Sequence, residues 1–547
     1  MAAEPVASTT RRWWWLANGL TLAALGLLVG RPLLELILVG ADQLAVGRPG
    51  GLDRATAGAA LANTIWTGAA VAAVAVTAGT AAAFVTERTA VAGRRVLRIT
   101  ILLPLLVPGF VSALSWARAY GPGGLLDDAV GVSMPGLFGA AGVVAVLAVT
   151  AMPVAYLVAV AALRTQAAPD LGRAARVSGA RSRTAFLTIS LPLLAPAVVG
   201  AAALAFIAAI NAFGVPAVLG TPAGFRTATT RIYQDLARSA GDEAFSRAVL
   251  LALALVLLAL VFVVAADRLL SRLGPAPSGG GPAGPVASLS RSGRAASLAV
   301  WVVVVVATVL PLVALVLSAL TRAVGLPPSP ANWTFANLGE ALGMRYVGAL
   351  GRSALLASVA ASIVVALGAV VTSIRGRSIG RFSAAAVLLT FAVPGSTLAV
   401  AMILAYGNAL RDTLVLILVA YVAKLWGVGH RVVAGSASGI AVDPYRAARV
   451  SGASPLVAVR TVIEPQMRPA LAGAWLLVFV FAFHELTMSS LLYGPGTDTI
   501  AVAILDLQQI GDVGVVSALA VYLTLPPLLV ATALLIVGRS SASRRAP

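Results

Sequence analysis

The stretch Arg-Ala-Ala-Arg-Val-Ser-Gly-Ala occurs twice in the chain, at residues 173–180 and again at residues 446–453. The two copies are 273 positions apart (446 − 173 = 273), and the same offset relates Pro192 to Pro465. A register that is kept over so long a spacing is not expected by chance. Self-similarity of this kind indicates two homologous halves in one polypeptide, an arrangement found in membrane transporters.

Each copy of the octapeptide lies between two long apolar runs. A polar, arginine-rich segment between two membrane spans is expected on the cytoplasmic side. The two alanines and the glycine that follows them suit a short helix, a turn and a second helix. The alternative is a positively charged loop that only sets membrane topology, but such a loop needs its charge and no fixed spacing.

The composition is that of a membrane protein. Of 547 residues, 59% are hydrophobic and 11% are charged, whereas ordinary soluble domains are about 45–50% apolar and about 25% charged. Apolar runs of about 20 residues recur, which is enough to cross a bilayer as a helix. The net charge of +19 does not indicate nucleic-acid binding, because the arginines flank apolar runs, where topology places them.

The pattern predicts an all-α polytopic membrane protein with about twelve spans in two six-helix halves and both termini in the cytoplasm. The predicted spans of the first half are 14–40, 60–85, 99–120, 136–163, 193–219 and 248–266. Those of the second half are 298–320, 350–374, 384–406, 413–433, 470–492 and 513–537. The predicted domains are an N-terminal cytoplasmic tail (1–13), a first half (14–270), a cytoplasmic Gly/Pro/Ser linker (271–297), a second half (298–538) and a C-terminal cytoplasmic tail (539–547).

The chain lacks the residues of a nucleotide or metal site. Its one lysine, Lys424, follows Ala423, so no Gly-Lys-Ser/Thr phosphate loop can exist. With two histidines, no cysteine and no carboxylate cluster of ligand spacing, a metal cage is not expected either. We therefore expect no cofactor on this chain and no metal, and we place Lys424 near a cytoplasmic helix end, where lysine can snorkel.

Three polar residues are candidates for a translocation path. His484 and Glu485 lie within the apolar run 470–492, and the first-half counterpart of His484 is Asn211 (484 − 273 = 211). Ionisable groups at membrane depth usually face a partner or a water-filled cavity. The alternative is a structural hydrogen bond between helices. If Glu485 lines the path, Glu485→Gln should impair transport.

Two Pro-Gly pairs lie in the predicted third spans, at Pro108-Gly109 and Pro394-Gly395. Proline removes a backbone donor and clashes with the preceding turn, so each pair is expected to kink its span. A functional hinge and simple helix packing are both compatible with the kink.

The octapeptide resembles the EAA loop of ABC importer permeases. The first copy is followed by Leu191-Pro192 twelve residues after Gly179, and the second copy keeps the alanine pair, Gly452 and Pro465. The resemblance implies the type I permease fold and a coupling helix that docks in a groove of a cytoplasmic ATPase. The implied ATPase-coupling residues are Arg173, Ala174, Ala175, Ser178, Gly179, Arg446, Ala447, Ala448, Ser451 and Gly452. The leading glutamate of the family is arginine in both copies, which changes the usual acidic contact and suggests that one ATPase type serves both loops.

Two further stretches resemble fused, two-repeat ferric-iron permeases. They are residues 213–222 with 229–233, and residues 484–494 with 498–501. The resemblance implies a bacterial inner-membrane permease that imports ferric iron, two copies of an ABC ATPase that bind the ATP, and a periplasmic or lipid-anchored binding protein that carries the iron ligands. Thiamine, phosphonate and polyamine permeases of the same family are alternatives. Membrane lipid is a partner, and nucleic acid is not.

Two other classes of protein are alternatives to a non-catalytic transport subunit. A secondary transporter driven by an ion gradient needs intramembrane carboxylates or broken helices, and Glu35 and Glu485 are the candidates for them. Glu35 is four residues after Arg31, so these two side chains could instead pair. A membrane-embedded enzyme needs a clustered catalytic set, which the sequence does not contain.

Overall fold

The computed structural model is helical throughout the part of the chain that it describes, and that part forms no β-strand. The described residues are 4–45, 56–89, 91–165, 175, 177–179, 181, 184, 188–189, 191–239, 241–273, 291–323, 325–374, 378–439 and 443–543.

The helices fall into two similar series. Those of the first half are α1 (Glu4–Leu25), α2 (Arg31–Ala45), α3 (Thr56–Arg88), α4 (Arg94–Leu102), α5 (Gly109–Tyr120), α6 (Leu125–Val130), α7 (Ala140–Thr165), α8 (Leu191–Asn211), α9 (Ala228–Ala237) and α10 (Asp242–Leu273). Those of the second half are α11 (Arg291–Val304), α12 (Leu310–Leu320), α13 (Ala336–Glu340), α14 (Met344–Ile374), α15 (Ser378–Thr390), α16 (Gly395–Leu410), α17 (Leu414–Ala437), α18 (Asp443–Val450), α19 (Pro455–Ala458), α20 (Glu464–Phe483), α21 (Ser489–Leu492), α22 (Ile500–Ile510) and α23 (Val513–Ser543). Turns of π-helix occur at Gly26–Gly30, Pro216–Gly220, Val305–Val309 and Val459–Ile463.

Nine helices in the described ranges are long and apolar enough to cross a membrane, and two bent helix pairs raise the number to as many as 11. The twelfth predicted span, 513–537, lies within α23, which is counted neither among these nine helices nor in the two pairs. Exposed leucines such as Leu16, Leu257 and Leu298 cover the outer helix faces. This is the surface that a lipid environment requires, and it confirms the all-α, multi-pass architecture.

The predicted third spans are broken rather than gently kinked. The bent pairs are Arg94–Leu105 with Gly109–Val130, bent by 110°, and Gly380–Thr390 with Gly395–Leu410, bent by 106°. Pro108 and Pro394 stand immediately before α5 and α16, with ψ of 141° and 139°. Because proline has no N–H to continue the preceding helix and is tolerated at a helix start, each one ends one segment and begins the next.

The two breaks have matching surroundings. A Cβ added to Gly109 would lie 3.5 Å from Val215, and one added to Gly395 would lie 3.5 Å from Met488. Val215 and Met488 are themselves 273 positions apart (488 − 215 = 273). Each Pro-Gly break therefore packs against a residue that lies four or five positions after the end of the fifth helix of its own half.

The predicted fifth spans, 193–219 and 470–492, are not continuous helices. Helix α8 ends at Asn211, and α20 ends at Phe483. The chain then turns through a π-helical segment in the first half and through α21 in the second. The expectation that His484 and Glu485 lie inside a span is wrong in this respect, since both follow the last residue of α20.

The halves are interlocked through their first helices. Helix α2 packs against α16 of the second half, and α12 packs against α5 of the first half. Tyr120 donates its hydroxyl to the carbonyl of Val306, and Tyr406 donates to the carbonyl of Leu27 at 2.6 Å. Both acceptors lie in π-helical turns. The main hydrophobic core consequently contains buried residues of both halves.

Several helices extend past the domain boundaries that the sequence predicts. Residues 4–13 of the predicted tail belong to α1, and the helices on either side of the predicted linker reach Leu273 and begin at Arg291. Residues 274–290 of the linker lie outside the described part of the chain. The possible pairing of Arg31 with Glu35 is not formed, because Arg31 donates to the carbonyl of Ala405 at 3.2 Å.

Candidate functional site

The second octapeptide forms a short helix, a glycine turn and a second short helix, as its sequence predicts. Helix α18 is closed by hydrogen bonds from Gly452 N to Arg449 O (3.2 Å) and from Ala453 N to Ala448 O (3.0 Å). This is the Schellman arrangement, which needs a left-handed residue at the turn. Gly452 supplies it with a φ of +88°. Ser454 then accepts a hydrogen bond from Val457 N at 3.3 Å and so caps α19.

The first octapeptide has the same turn where the structure describes it. Gly179 has a φ of +89°, against +88° for Gly452. Ser178 and Gly179 form a turn, and Ala175 is helical. Arg173 and Ala174 lie outside the described residues. In both loops a Cβ on the glycine would meet no atom within 4 Å, so the backbone conformation and not the available space requires glycine.

Both loops present an apolar side chain that the fold does not cover. Val177 is 90% exposed and Val450 is 89% exposed, and the two occupy the same position of the repeat (450 − 177 = 273). Helix α18 has no buried residue, and its main contacts within the described chain are with the short segments that follow it. Isolated helices of this length are not stable in water, so the surface of α18 is suited to a partner.

In the second copy, the arginine that replaces the family's glutamate is exposed at the surface of α18. Arg446 is 74% exposed and approaches Asp443 at 3.8 Å, and Asp443 is itself exposed. An exposed pair of this kind contributes little stability. Ala447 is exposed and Ala448 is partly exposed, while Ser451 donates its N–H to Ala447 O at 2.9 Å.

At the end of the fifth helix of the first half, Asn211 meets Lys424 of the second half. The Lys424 ammonium is 3.3 Å from Asn211 Oδ1 and 3.0 Å from the carbonyl of Phe391, and it also donates to the carbonyl of Val393. Asn211 Nδ2 donates to Ile207 O at 2.7 Å, which aims its oxygen at the ammonium. The placement of Lys424 at a snorkelling helix end is therefore wrong: its ammonium binds carbonyls at a helix break.

Glu485 works locally as a helix cap. Its carboxylate accepts hydrogen bonds from Met488 N at 2.8 Å and from Ser489 N at 3.1 Å. Its backbone carbonyl accepts the Ser489 hydroxyl at 2.7 Å, and this hydroxyl also contacts Tyr421 at 2.7 Å. These contacts favour the structural alternative for Glu485, because they satisfy the first N–H groups of α21.

His484 directly follows the last residue of α20 and interacts with the backbone of Leu523 in α23. Its Nε2 is buried and has no hydrogen-bond partner within the described chain. The structure thus brings Asn211 to Lys424. The hydrogen bonds of Glu485 go to α21, although Glu485 also interacts electrostatically with Lys424, and His484 contacts α23. In the ranges described, no three His, Cys, Asp or Glu side chains are grouped so that they could hold a metal ion.

Sequence reasoning missed the position of Lys424, although one signal was present. Lys424 is the one lysine among 39 basic residues, and it lies in an otherwise apolar stretch. A lone intramembrane cation is a reason to look for a partner. The partner itself could not be identified, because Phe391 and Val393 lie in a full helix break, whereas the sequence predicts a kinked span over residues 384–406.

The sequence is similar to those of known transport permeases. Residues 75–277 match the family described as "binding-protein-dependent transport system inner membrane component". A probable ABC transporter permease protein of Sinorhizobium fredii is 28% identical over 89% of this chain and 88% of its own length. An Fe(3+)-transport system permease protein of Haemophilus influenzae is 23% identical over 79% of this chain and 80% of its own length.

A third relative carries a different substrate name. The molybdenum transport system permease protein of Mycobacterium tuberculosis is 36% identical over 140 residues, which are 25% of this chain and 51% of the relative. The matched family and these relatives are permeases, the non-catalytic membrane subunits of ABC transporters. The expectations of a type I permease fold and of a non-catalytic chain are confirmed, and the substrate is left open between these names.

Proposed function

We propose that this chain is the transmembrane subunit of an ATP-driven importer, with two homologous halves that each hold one ATPase subunit. The observation that carries the proposal is the pair of matching loops, which share a left-handed glycine and an uncovered valine. In this proposal two copies of a cytoplasmic ABC ATPase grip α18 and its first-half counterpart. ATP is bound and hydrolysed on the ATPase, and this chain holds neither ATP nor another cofactor.

The translocation path runs between the halves, past the ends of α8 and α20. Asn211, His484 and Glu485 stand at these ends, and Asn211 contacts the opposite half through Lys424. Four helix breaks support this path, since helices stop at Asn211, at Phe483 and at the two Pro-Gly pairs. Interrupted helices at the contact between repeats are typical of transporter binding regions.

The cargo is ferric iron delivered by a periplasmic or lipid-anchored binding protein, in the bacterial inner membrane, with both termini of the chain in the cytoplasm. Support for iron comes from the Haemophilus relative, which covers most of both chains. The molybdenum permease is more similar but over a short segment, so oxyanion import is the competing assignment. Thiamine, phosphonate and polyamine are further alternatives.

The coupling role can be tested at the two valines. We expect Val177→Asp and Val450→Asp each to reduce, and the double variant to abolish, the copurification of the ATPase with the permease. Burial of a valine contributes about 1.5–3 kcal/mol, so each change should weaken the complex by about tenfold or more. Val132→Asp is the matched control, because Val132 is an exposed valine in the predicted outer loop. Undiminished ATPase binding by the double variant would refute the docking surface.

A further inference from the structure

Lys424 donates to three acceptors, which lie in two parts of the molecule. Two of its acceptors, the carbonyls of Phe391 and Val393, lie in the break between α15 and α16 of the second half. The third, Asn211 Oδ1, ends α8 of the first half. Ile207 O holds the Asn211 amide nitrogen, so the amide is oriented before it meets the ammonium.

The packing of α17 on α15 sets the position of the ammonium. A Cβ on Gly427 would lie 2.8 Å from Val387 O and 3.3 Å from Thr390 Oγ1, so glycine is needed for this close approach. Gly427 is three residues after Lys424 and therefore on nearly the same face of α17. The approach delivers the ammonium to the carboxyl end of α15, where the helix dipole and unpaired carbonyls favour a cation.

The chemistry of the contact explains why lysine stands here in a chain that otherwise uses arginine. An ammonium is compact and directs three rotatable N–H groups to three acceptors, whereas a guanidinium is a planar fork suited to paired acceptors. The acceptors of Lys424 are three separate carbonyl-type oxygens. Arginine would preserve the charge but not this arrangement.

The first half has no equivalent cation. One close helix contact in each half shows which residues of α7 and α17 correspond. Gly79 contacts Tyr156 in the first half, and Gly368 contacts His430 in the second. Counting six residues back from each contact (156 − 150 = 430 − 424 = 6) pairs Lys424 with Thr150. Thr150 donates its hydroxyl to Leu147 O of its own helix at 2.9 Å. The contact is thus a one-sided addition to an otherwise repeated framework.

We propose that Lys424 is a positioning residue of the transport cycle: it ties the α15–α16 break to Asn211 of the first half, and it releases Asn211 when the halves change their packing. The inference rests on the proposed function, because it assigns the contact to one of two packings of an importer. Two of the three hydrogen bonds of Lys424 lie within the second half and are kept when the halves move. Only the hydrogen bond from Lys424 to Asn211 is broken. We call this contact, between Lys424 and Asn211, the cross-half latch.

The single lysine makes the cross-half latch directly observable. In the complete transporter, an amine-reactive reagent such as an acetylating ester can modify Lys424 and the N-terminal amine, and mass spectrometry separates the two. We expect Lys424 to react about tenfold more slowly in the resting complex than in the complex trapped with ATP and vanadate, a ratio that corresponds to about 1.4 kcal/mol. The N-terminal amine is the internal reference. Equal rates in both states overturn the proposal.

Substitutions distinguish a latch from a purely structural contact. Asn211→Asp strengthens the contact to an ion pair and should lower the maximal uptake rate about tenfold while the half-saturating concentration is unchanged. Asn211→Ala and Lys424→Met should instead raise ATP hydrolysis in the absence of substrate, and Lys424→Arg should not rescue coupling. Thr150→Val is the control and should leave all these quantities unchanged. A wild-type maximal rate in Asn211→Asp, with wild-type basal hydrolysis in Asn211→Ala, refutes the latch.

A failure of the proposed function would look different. In that case the wild-type complex shows no ATP-dependent uptake, while the contact itself is still tested by thermal unfolding of the purified chain. We expect the losses in Asn211→Ala and Lys424→Met to be non-additive in the double variant, since residues in contact couple. Strictly additive losses of stability in the double variant would show that Asn211 and Lys424 do not interact, and they would refute the latch.

Discussion

Gly179 and Gly452 show at the scale of single residues why the octapeptide keeps its spacing. Both have φ near +90°, and both have open space where a Cβ would be. The exposed Val177 and Val450 precede these turns by two residues and depend on them for their direction. The position of a glycine in a Schellman turn therefore decides where an apolar contact is presented to a partner.

Replacing these glycines should disturb the loops without unfolding the protein. A non-glycine residue in the left-handed region costs about 1–2 kcal/mol, so even alanine at Gly452 should reduce uptake. Bulky residues at both Gly179 and Gly452 should abolish uptake and leave the membrane level of the protein normal, which immunoblotting checks. Gly473→Ala in α20 is the control, because a Cβ there also meets no atom within 4 Å. Normal uptake by the double bulky variant would count against the coupling role.

Substitutions of Glu485 can distinguish a role as a helix cap from a role in transport. Its carboxylate accepts the N–H groups of Met488 and Ser489, and glutamine keeps one acceptor oxygen for them. We expect Glu485→Gln to retain uptake and stability, and Glu485→Ala to lose about 0.5–2 kcal/mol as a helix cap is lost. Thermal unfolding in detergent and uptake assays measure both. If Glu485→Gln is stable but does not transport, the carboxylate itself is needed in the path.

At the scale of elements, the helix breaks and the π-helical turns are complementary. In the first helix of each half, a π-helical turn leaves a carbonyl without its usual helical partner. A tyrosine from the other half binds this carbonyl, and it lies in the second segment of that half's broken third span. The two tyrosines, Tyr120 and Tyr406, are 286 positions apart, as are Pro108 and Pro394 (406 − 120 = 394 − 108 = 286). The first helices consequently hold the halves together from both sides.

Removing one tyrosine hydroxyl should loosen the contact between the halves. Hydrogen bonds between membrane helices contribute about 0.6 kcal/mol on average and up to about 1.7 kcal/mol. Tyr406→Phe and Tyr120→Phe should each lower the stability by an amount in this range, measured as the unfolding midpoint in detergent. Tyr445→Phe, on α18 away from the contact between the halves, is the control. Equal unfolding midpoints for all three variants would show that the hydrogen bonds from these tyrosines to the π-helical carbonyls do not contribute to stability.

The whole molecule combines a repeated framework with contacts that only one half has. The framework includes the paired loops, the paired breaks and the paired tyrosines. Lys424, which forms the cross-half latch, and Glu485, which caps α21, both belong to the second half. Their first-half counterparts are the uncharged Thr150 and Ala212 (485 − 273 = 212). A fused chain permits such one-sided contacts, because its two halves can diverge while remaining joined.

A permease without an energy site of its own should not concentrate its cargo when it is alone. We expect the purified chain in proteoliposomes to show no concentrative uptake under a proton or sodium gradient. Addition of the ATPase, the loaded binding protein and ATP should restore uptake. The measurement is the ratio of internal to external cargo. Uptake driven by the gradient alone would support a secondary transporter, for which Glu35 and Glu485 are the candidate carboxylates.

The sequence by itself determined the class of the protein, the repeat and the two loops. These follow from local properties: hydropathy over about 20 residues predicts a span, and the spacing within the octapeptide predicts the helix, the glycine turn and the second helix around Gly452. Tertiary structure alone decided where α8 and α20 stop, which carbonyls bind Tyr120 and Tyr406, and what Lys424 contacts. An apolar run has the same composition whether its helix continues or breaks, so the ends and partners of these helices depend on the neighbouring helices that pack against them.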